Sequence, residues 1–111
     1  MAEAVKVSSG EMIDYTPSTD VAAGTVVVQG NLVGIALEPI AANTKGALAV
    51  TGVFDVAKAS ATTFSAGALV YWDDNSNLAV TTDSNGDNKL LGLAVAAAGS
   101  GETTVRVVKT L

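Results

Sequence analysis

The feature that most constrains the fold is an internal echo between two parts of the chain. The segment AAGTVVV at residues 22–28 resembles SAGALVY at residues 65–71, and LVGIAL at residues 32–37 resembles LLGLAV at residues 90–95. After each later segment, a polar loop leads into another alternating strand, ALAVTGVF in one copy and TVRVV in the other. A unit of turn, strand, hairpin, strand, loop and strand thus occurs twice, and the second copy carries an extra Asn/Asp-rich hairpin tip. We therefore predict an internal two-fold repeat.

Four glycines occupy matching places in the two copies. Gly24 and Gly67 lie where a turn delivers the chain into a strand, a place that favours a positive φ. Gly34 and Gly92 lie inside predicted strands, where glycine is typical of a sharp bend, a bulge or a close backbone approach. Pairs of bent strands predict a small β-barrel or a barrel-like sandwich, and the sequence leaves the choice between them open.

The remaining pattern is one of short strands separated by turns. The chain is skewed toward Ala, Val, Gly and Thr and has one Trp, two Tyr and two Phe, which favours an all-β fold over a helix bundle. Its 111 residues indicate one β domain, placed at residues 18–111, after an N-terminal arm at residues 1–17. One helical turn is predicted near residues 57–61. The predicted strands are residues 13–15, 25–28, 32–37, 47–53, 69–72, 78–82, 90–96 and 103–108.

Charge and residue types exclude several classes of function. Six basic residues against eleven acidic ones give a net charge of −5, and the basic residues are scattered, so nucleic acid is not predicted as a partner. The N-terminus does not resemble a signal peptide, and the longest apolar run is too short to cross a bilayer. We therefore expect no membrane partner and synthesis in the cytoplasm.

The sequence lacks the common catalytic and metal-binding patterns. The chain has no Cys and no His, which removes thiolate metal sites, Ser/His/Asp sites and the commonest general base. The acidic turns DDNSN at residues 73–77 and DSNGDN at residues 83–88 lack the Gly and Glu of a calcium loop. No Gly-Lys pair exists for a phosphate-binding loop. We predict no catalytic residue, no metal and no cofactor.

Candidate contact residues come from the arm and from one strand. In the arm, Ile13 and Tyr15 lie on one face of an extended segment and Asp14 lies on the other. In the strand, Tyr71 and Trp72 are adjacent, so one ring points inward and the other outward. An aromatic pair there either completes the core and covers its mouth or anchors an interface. The seven candidates are Ile13, Asp14, Tyr15, Thr16, Pro17, Tyr71 and Trp72.

Taken in order along the chain, several segments resemble the small capsid cement or decoration proteins of tailed bacteriophages. These segments are IDYTP, DVAAGTVVV, LVGIAL, GVFDVAKA, GALVYWDD and LLGLAVAAAGSGETTVRVV. Members of that group are often labelled recombinase-like, an activity that these residues do not support. The resemblance implies a β-rich, non-enzymatic protein that binds the major capsid protein on the outside of an assembled head and stabilises it, commonly as a homotrimer. The seven candidates would then be capsid or intersubunit contacts, and the protein would be located on the exterior of the virion.

Two other functions stay open on the residues alone. The lack of catalytic residues is equally typical of another virion part, such as a head-fibre base or a tail component. The interior of a small β-barrel would also be compatible with a ligand-binding module or an enzyme subunit.

Overall fold

The computed structural model describes Ala4 and residues 11–110. The other residues of the predicted arm, 1–3 and 5–10, lie outside the described residues, as does Leu111. A short 3-10 turn covers Ser84–Gly86. The strands are β1 Met12–Tyr15, β2 Val26–Gln29, β3 Leu32–Ile35, β4 Gly46–Ala49, β5 Gly52–Ala57, β6 Leu69–Asp73, β7 Leu78–Val80, β8 Lys89–Ala94 and β9 Thr104–Lys109.

The strands form two antiparallel sheets. The first sheet has the order β1-β4-β3-β2, and the second has the order β5-β9-β8-β6-β7. One parallel bridge between Lys58 and Ala79 brings the end of β5 next to β7, but the described strands do not close into a barrel. The predicted all-β class is confirmed, and the alternative that the sequence left open is decided in favour of sandwich-like packing.

The two sheets are two copies of one motif. The strands of the two sheets correspond in order: β1 to β5, β4 to β9, β3 to β8 and β2 to β6. The second sheet has one additional strand, β7. The predicted internal repeat is therefore confirmed, with the extra hairpin in the second copy. Matching backbone hydrogen bonds support this equivalence: Gly24 N–H to Ala36 C=O at 2.6 Å and Gly67 N–H to Ala94 C=O at 2.7 Å, and reciprocal bonds between Val21 and Ile40 and between Phe64 and Ala98.

The matched glycines have the roles that their positions predict. Gly24 and Gly67 adopt φ values of +86° and +82° at the entry to β2 and β6. A Cβ at Gly92 would overlap the backbone carbonyl oxygen of Val108, and a Cβ at Gly34 would lie 2.8 Å from the Leu48 Cβ. Glycine is required at these two strand positions because a neighbouring strand approaches closely.

Each copy contributes to a separate core cluster. The smaller cluster, under the first sheet, consists of buried Ala36, Ile40 and Leu48, with Ile13, Tyr15, Val21 and Val27 packed against it. The larger cluster lies under the second sheet and also receives Val33 from β3, which joins the two halves. Its other buried members are Val56, Phe64, Val70, Trp72, Ala79, Leu91, Ala94, Ala98, Val105 and Val107.

Two local predictions were wrong. The strand predicted at residues 47–53 is two strands, β4 and β5, which belong to different sheets and are separated by a bend at Thr51. Gly52 has a φ of +137°, so the chain changes direction where the apolar alternation continues. The helical turn predicted near residues 57–61 is instead the end of β5 followed by a turn.

The turn after β5 is organised by a buried lysine. Lys58 is 3% exposed. Its ammonium donates hydrogen bonds to backbone carbonyls of two loops at one end of the second sheet, the loop after β5 and the loop before β9. We call this set the Lys58 cage. Its acceptors are the carbonyl oxygens of Thr62 at 2.7 Å, Glu102 at 2.7 Å, Gly99 at 3.1 Å and Ala59 at 3.3 Å.

Candidate interaction surface

An apolar row crosses the outer face of the second sheet. Val53 in β5 is paired in register with Val108 in β9, and Val108 is paired with Leu93 in β8. Leu93 is in turn paired with Leu69 in β6. Because residues directly opposite each other in a sheet point to the same side, these four side chains form one continuous row across four strands.

Large aliphatic side chains remain exposed along this row and beside it. Val53 is 59% exposed, Leu69 50% and Leu93 42%. Leu90 is paired with Tyr71, and Val95 donates its N–H to the Arg106 carbonyl, so both belong to the same face. We call this surface the outer apolar face; its exposed aliphatic members are Val53, Leu69, Leu90, Leu93 and Val95.

An ion pair lies beside the row without adding net charge. Arg106 Nε donates to Asp55 Oδ1 at 2.9 Å, and its Nη2 donates to Asp55 Oδ2 at 3.1 Å. This two-point hydrogen bond from Arg106 lowers the pKa of the Asp55 carboxyl below its ordinary value of 3.8. The two charges neutralise each other, so a partner that covers the face meets apolar side chains and one matched pair.

The aromatic pair is divided as alternation predicts. The Trp72 ring is 5% exposed in the larger core, and its Nε1–H donates to Asp74 Oδ1 at 3.1 Å. Tyr71 is half-buried on the outer apolar face, where it is paired with Leu90 on one side and Val80 on the other. Of the two, Tyr71 is therefore the ring within reach of a partner.

The five arm candidates belong to the first sheet or its edge, away from the β6 pair. Ile13 and Tyr15 are half-buried against the smaller core through the pairing of β1 with β4. Pro17 is buried, and Thr16 is exposed. Asp14 is exposed and lies 3.4 Å from the Lys45 ammonium. As contact residues, all seven candidates stay predictions.

The outer apolar face was not predicted as a site from the sequence. In β8, apolar side chains point to both sides, with Leu91 and Ala94 buried and Leu90 and Leu93 exposed. The sequence signal for this face is the apolar run KLLGLAV at residues 89–95, which is too continuous for a strand that exposes one face to solvent.

Within residues 11–110 and Ala4, no group of three or more Asp or Glu side chains is placed to hold a metal ion. In that same part of the chain, no helix is long and apolar enough to cross a membrane.

The fold and its surface define a small antiparallel β-domain with an exposed apolar sheet face, a feature typical of proteins that bind another macromolecule. A family model described as phage cement protein matches residues 7–109. The chain belongs to the phage cement protein family, which confirms the resemblance seen in the sequence. Membership makes it a structural, capsid-associated phage protein. No curated protein and no solved structure matches the chain significantly.

Proposed function

We propose that this protein binds the major capsid protein on the outside of an assembled phage head and stabilises the head without catalysing a reaction. The single observation that supports a site of attachment to the head is the outer apolar face. In a member of a capsid-associated family, five exposed aliphatic side chains on one sheet face favour a contact with the shell. The protein would be made in the host cytoplasm and act on the exterior of the virion.

Stabilisation follows from binding to the assembled state alone. A protein that binds the shell and not its separate subunits lowers the free energy of the shell by mass action. Leu69 and Leu93 are each about half exposed, so covering one of them contributes roughly 1 kcal/mol. Repeated over many copies, a contact of this size raises the temperature at which the head comes apart.

We also propose that the protein acts as a homotrimer. The first sheet ends at β2, and β5 at the edge of the second sheet is bridged to β7 only at Lys58, so both sheets present strand edges that a folded protein normally covers. Closed cyclic symmetry covers such edges in every copy. Light scattering of the purified protein, alone and after release from heads, would measure the mass; a monomer in both samples would contradict the trimer.

The seven candidates keep their proposed role as capsid or intersubunit contacts. Asp14, Thr16 and Tyr71 offer accessible atoms for such contacts. Ile13, Tyr15, Pro17 and Trp72 pack behind them, and we propose that these four act mainly by fixing the contact surface. The other virion roles left open by the sequence would use the same face and are separated from cement function by the binding experiment.

The binding experiment compares variants on undecorated heads. Leu69→Arg combined with Leu93→Arg places two charges in the row, and we expect at least a roughly tenfold weaker association in co-sedimentation. Gln29→Arg, at an exposed position of the first sheet, is the control for added charge. Equal binding by the double variant and the control would overturn the proposed face. If the unmodified protein neither sediments with heads nor raises their disruption temperature, cement function itself is wrong.

A further inference from the structure

The first sheet is open at both ends, whereas the matching strands of the second sheet are connected. Strand β1 is paired with β4 and β2 with β3, and the described part of the chain places no further strand beside either. In the second sheet, β7 pairs with β6, which matches β2, and a bridge at Lys58 connects β7 to β5, which matches β1. Within residues 11–110, the first sheet has no strand in the place of β7.

Two residues of β1 direct their backbone groups away from the sheet. The Val50 N–H donates to the Glu11 carbonyl at 2.9 Å, so Glu11 bonds toward β4. In an antiparallel pair, such residues alternate with residues whose N–H and C=O groups point to the other side. In β1 these are Met12 and Asp14, and no other described residue bonds to their backbone groups.

Strand β2 has a matching edge at the opposite end of the sheet. The Ala36 N–H donates to the Thr25 carbonyl at 3.0 Å, so Val26 and Val28 are the residues of β2 that point outward. Their N–H and C=O groups have no backbone partner among the described residues. Each edge of the first sheet therefore presents donors and acceptors that an added antiparallel strand would satisfy.

We propose that β2 of one molecule pairs antiparallel with β1 of a second molecule, so that the first sheet continues from chain to chain. The inference rests on the proposed homotrimer and names the strands that meet in it. In the proposed register, Ile13 lies opposite Val27. The outward-pointing residues then form two hydrogen-bonded pairs, Met12 with Val28 and Asp14 with Val26.

This register also matches the two faces of the sheet. Ile13 and Val27 are half-buried, and both pack against the smaller core of their own chain. Because opposite residues point to the same side, their pairing covers apolar surface that each chain leaves partly exposed. On the other face, Met12, which is 39% exposed, meets Val28. A slip of one residue would turn Ile13 away from Val27, so the apolar pattern specifies the register.

Strand direction favours a head-to-tail ring. Each neighbouring pair in the order β1-β4-β3-β2 is antiparallel, so β1 and β2 of one chain run in opposite directions. A rotation axis along the strands keeps their directions, so β1 of the next molecule arrives antiparallel to β2. Contacts of this head-to-tail kind close into a ring when the rotation fits. A two-fold pairing of β2 with β2 would leave both β1 edges uncovered, whereas the ring covers both edges in every molecule.

The test uses the absence of cysteine from the chain. A full-length protein carrying Asp14→Cys is mixed with one carrying Val26→Cys, and disulfide formation is followed by non-reducing electrophoresis. Hydrogen-bonded partners in an antiparallel pair have Cα atoms about 5.5 Å apart, which suits a disulfide. The matched control replaces Val26→Cys by Val80→Cys, which removes a half-buried valine from the second sheet. We expect the first mixture to form a covalent dimer at least about ten times faster than the control, because pairing raises the effective concentration of the thiols.

The second proposed pair, Met12→Cys with Val28→Cys, repeats the test at another position. Both mixtures are oxidised free in solution and bound to heads. A dimer above the control from either pair supports the proposal, and its absence from both pairs in both samples overturns it. Each single variant is also oxidised alone: a dimer formed as fast as in the mixture would indicate a two-fold contact and overturn the head-to-tail pairing.

A chain that carries both Asp14→Cys and Val26→Cys tests closure of the ring. Within one chain, these residues lie on strands separated by β4 and β3, roughly 14 Å apart, which is too far for a disulfide. Links therefore form between chains, and we expect a covalent trimer as the largest product. A ladder that continues beyond three chains would overturn the ring.

Head binding and the mass in solution are measured separately. Cross-linking without head binding would remove cement function and keep the strand pairing, and head binding without cross-linking would do the reverse. A trimer by light scattering that does not cross-link would keep the homotrimer and reject this interface.

Discussion

Replacing Lys58 by Met tests the strongest local claim about stability. The substitution keeps an unbranched apolar stem of similar length and removes the ammonium from the Lys58 cage. The carbonyl oxygens that accepted its hydrogen bonds remain in place, since they belong to the backbone of two loops. The variant therefore leaves acceptors without a donor rather than removing both partners of a pair.

The size of the effect follows from the contacts. An ammonium has three donors, and three of the four oxygens lie at 2.7, 2.7 and 3.1 Å from it. Each hydrogen bond to a charged group contributes about 1.5–3 kcal/mol, and relief of the cost of burying the charge offsets part of the sum. We expect a net loss of about 3–5 kcal/mol in the free energy of unfolding.

Urea unfolding measures this loss directly. The fluorescence of Trp72, the single Trp of the chain and 5% exposed, reports on the larger core. With a slope of about 1.5 kcal/mol per molar urea, the midpoint should fall by roughly 2–3 M. Lys89→Met is the control, because Lys89 donates one bond, to the Gly86 carbonyl at 2.8 Å, and should cost less than about 1 kcal/mol. Coincident midpoints for the two variants would refute the stabilising role of the cage.

A second buried lysine is expected to respond to replacement by Met in the opposite way, without a loss of stability. Lys109 is 2% exposed, and burial lowers the pKa of its ammonium below the ordinary 10.5. The folded chain thus holds that proton less tightly than the unfolded chain, and stability rises as the pH rises toward 10.5. Lys109→Met should keep or raise stability at about pH 7 and flatten this rise. A clear loss of stability at that pH would show that the ammonium has a favourable role.

Two smaller changes test the repeat and the outer ion pair. Gly92→Ala should lower the free energy of unfolding by about 2 kcal/mol or more, because its Cβ would overlap the Val108 carbonyl. The control Gly99→Ala has open space around its Cβ and should change that free energy by less than about 0.5 kcal/mol. Thermal melts that rank the two variants the other way would contradict the close approach of the strands at Gly92. The hydrogen bond from Arg106 lowers the pKa of Asp55 in the folded protein. The contribution of this ion pair to stability is therefore fully present above pH 3.8, the pKa of the unfolded chain, and is lost as the pH falls through the lower pKa of the folded protein. The melting temperatures of the unmodified protein and Asp55→Asn should therefore converge in strong acid, and a constant difference would refute the pairing.

The repeat was predictable because it depends on local requirements. A turn that needs a positive φ selects Gly24 and Gly67, and a strand under a close neighbour selects Gly34 and Gly92. Such needs leave the same residue at the same place in both copies. The division of Tyr71 and Trp72 between two faces followed in the same way from the period of a strand.

The outer apolar face was not predictable because the period of two is broken in β8. Val70 is paired with Gly92 and Tyr71 with Leu90, so Leu91 is an extra residue at a bulge. Neighbouring leucines can then point to the same or to opposite sides, and only the register decides which is exposed. The Lys58 cage was hidden for a different reason: its acceptors are backbone groups brought from sequence-distant loops, and no side-chain pattern marks them.

The extra hairpin of the second copy has a practical consequence. The first copy holds the same strand order without it, so the motif does not need the hairpin to form its sheet. The tip at Ser84–Gly86 is exposed and contributes nothing to either core. A foreign peptide inserted there would leave both cores unchanged, and on a decorated head it would be repeated at the spacing of the shell lattice. The tip of the hairpin is thus a suitable insertion site for displaying antigens or enzymes in an ordered array.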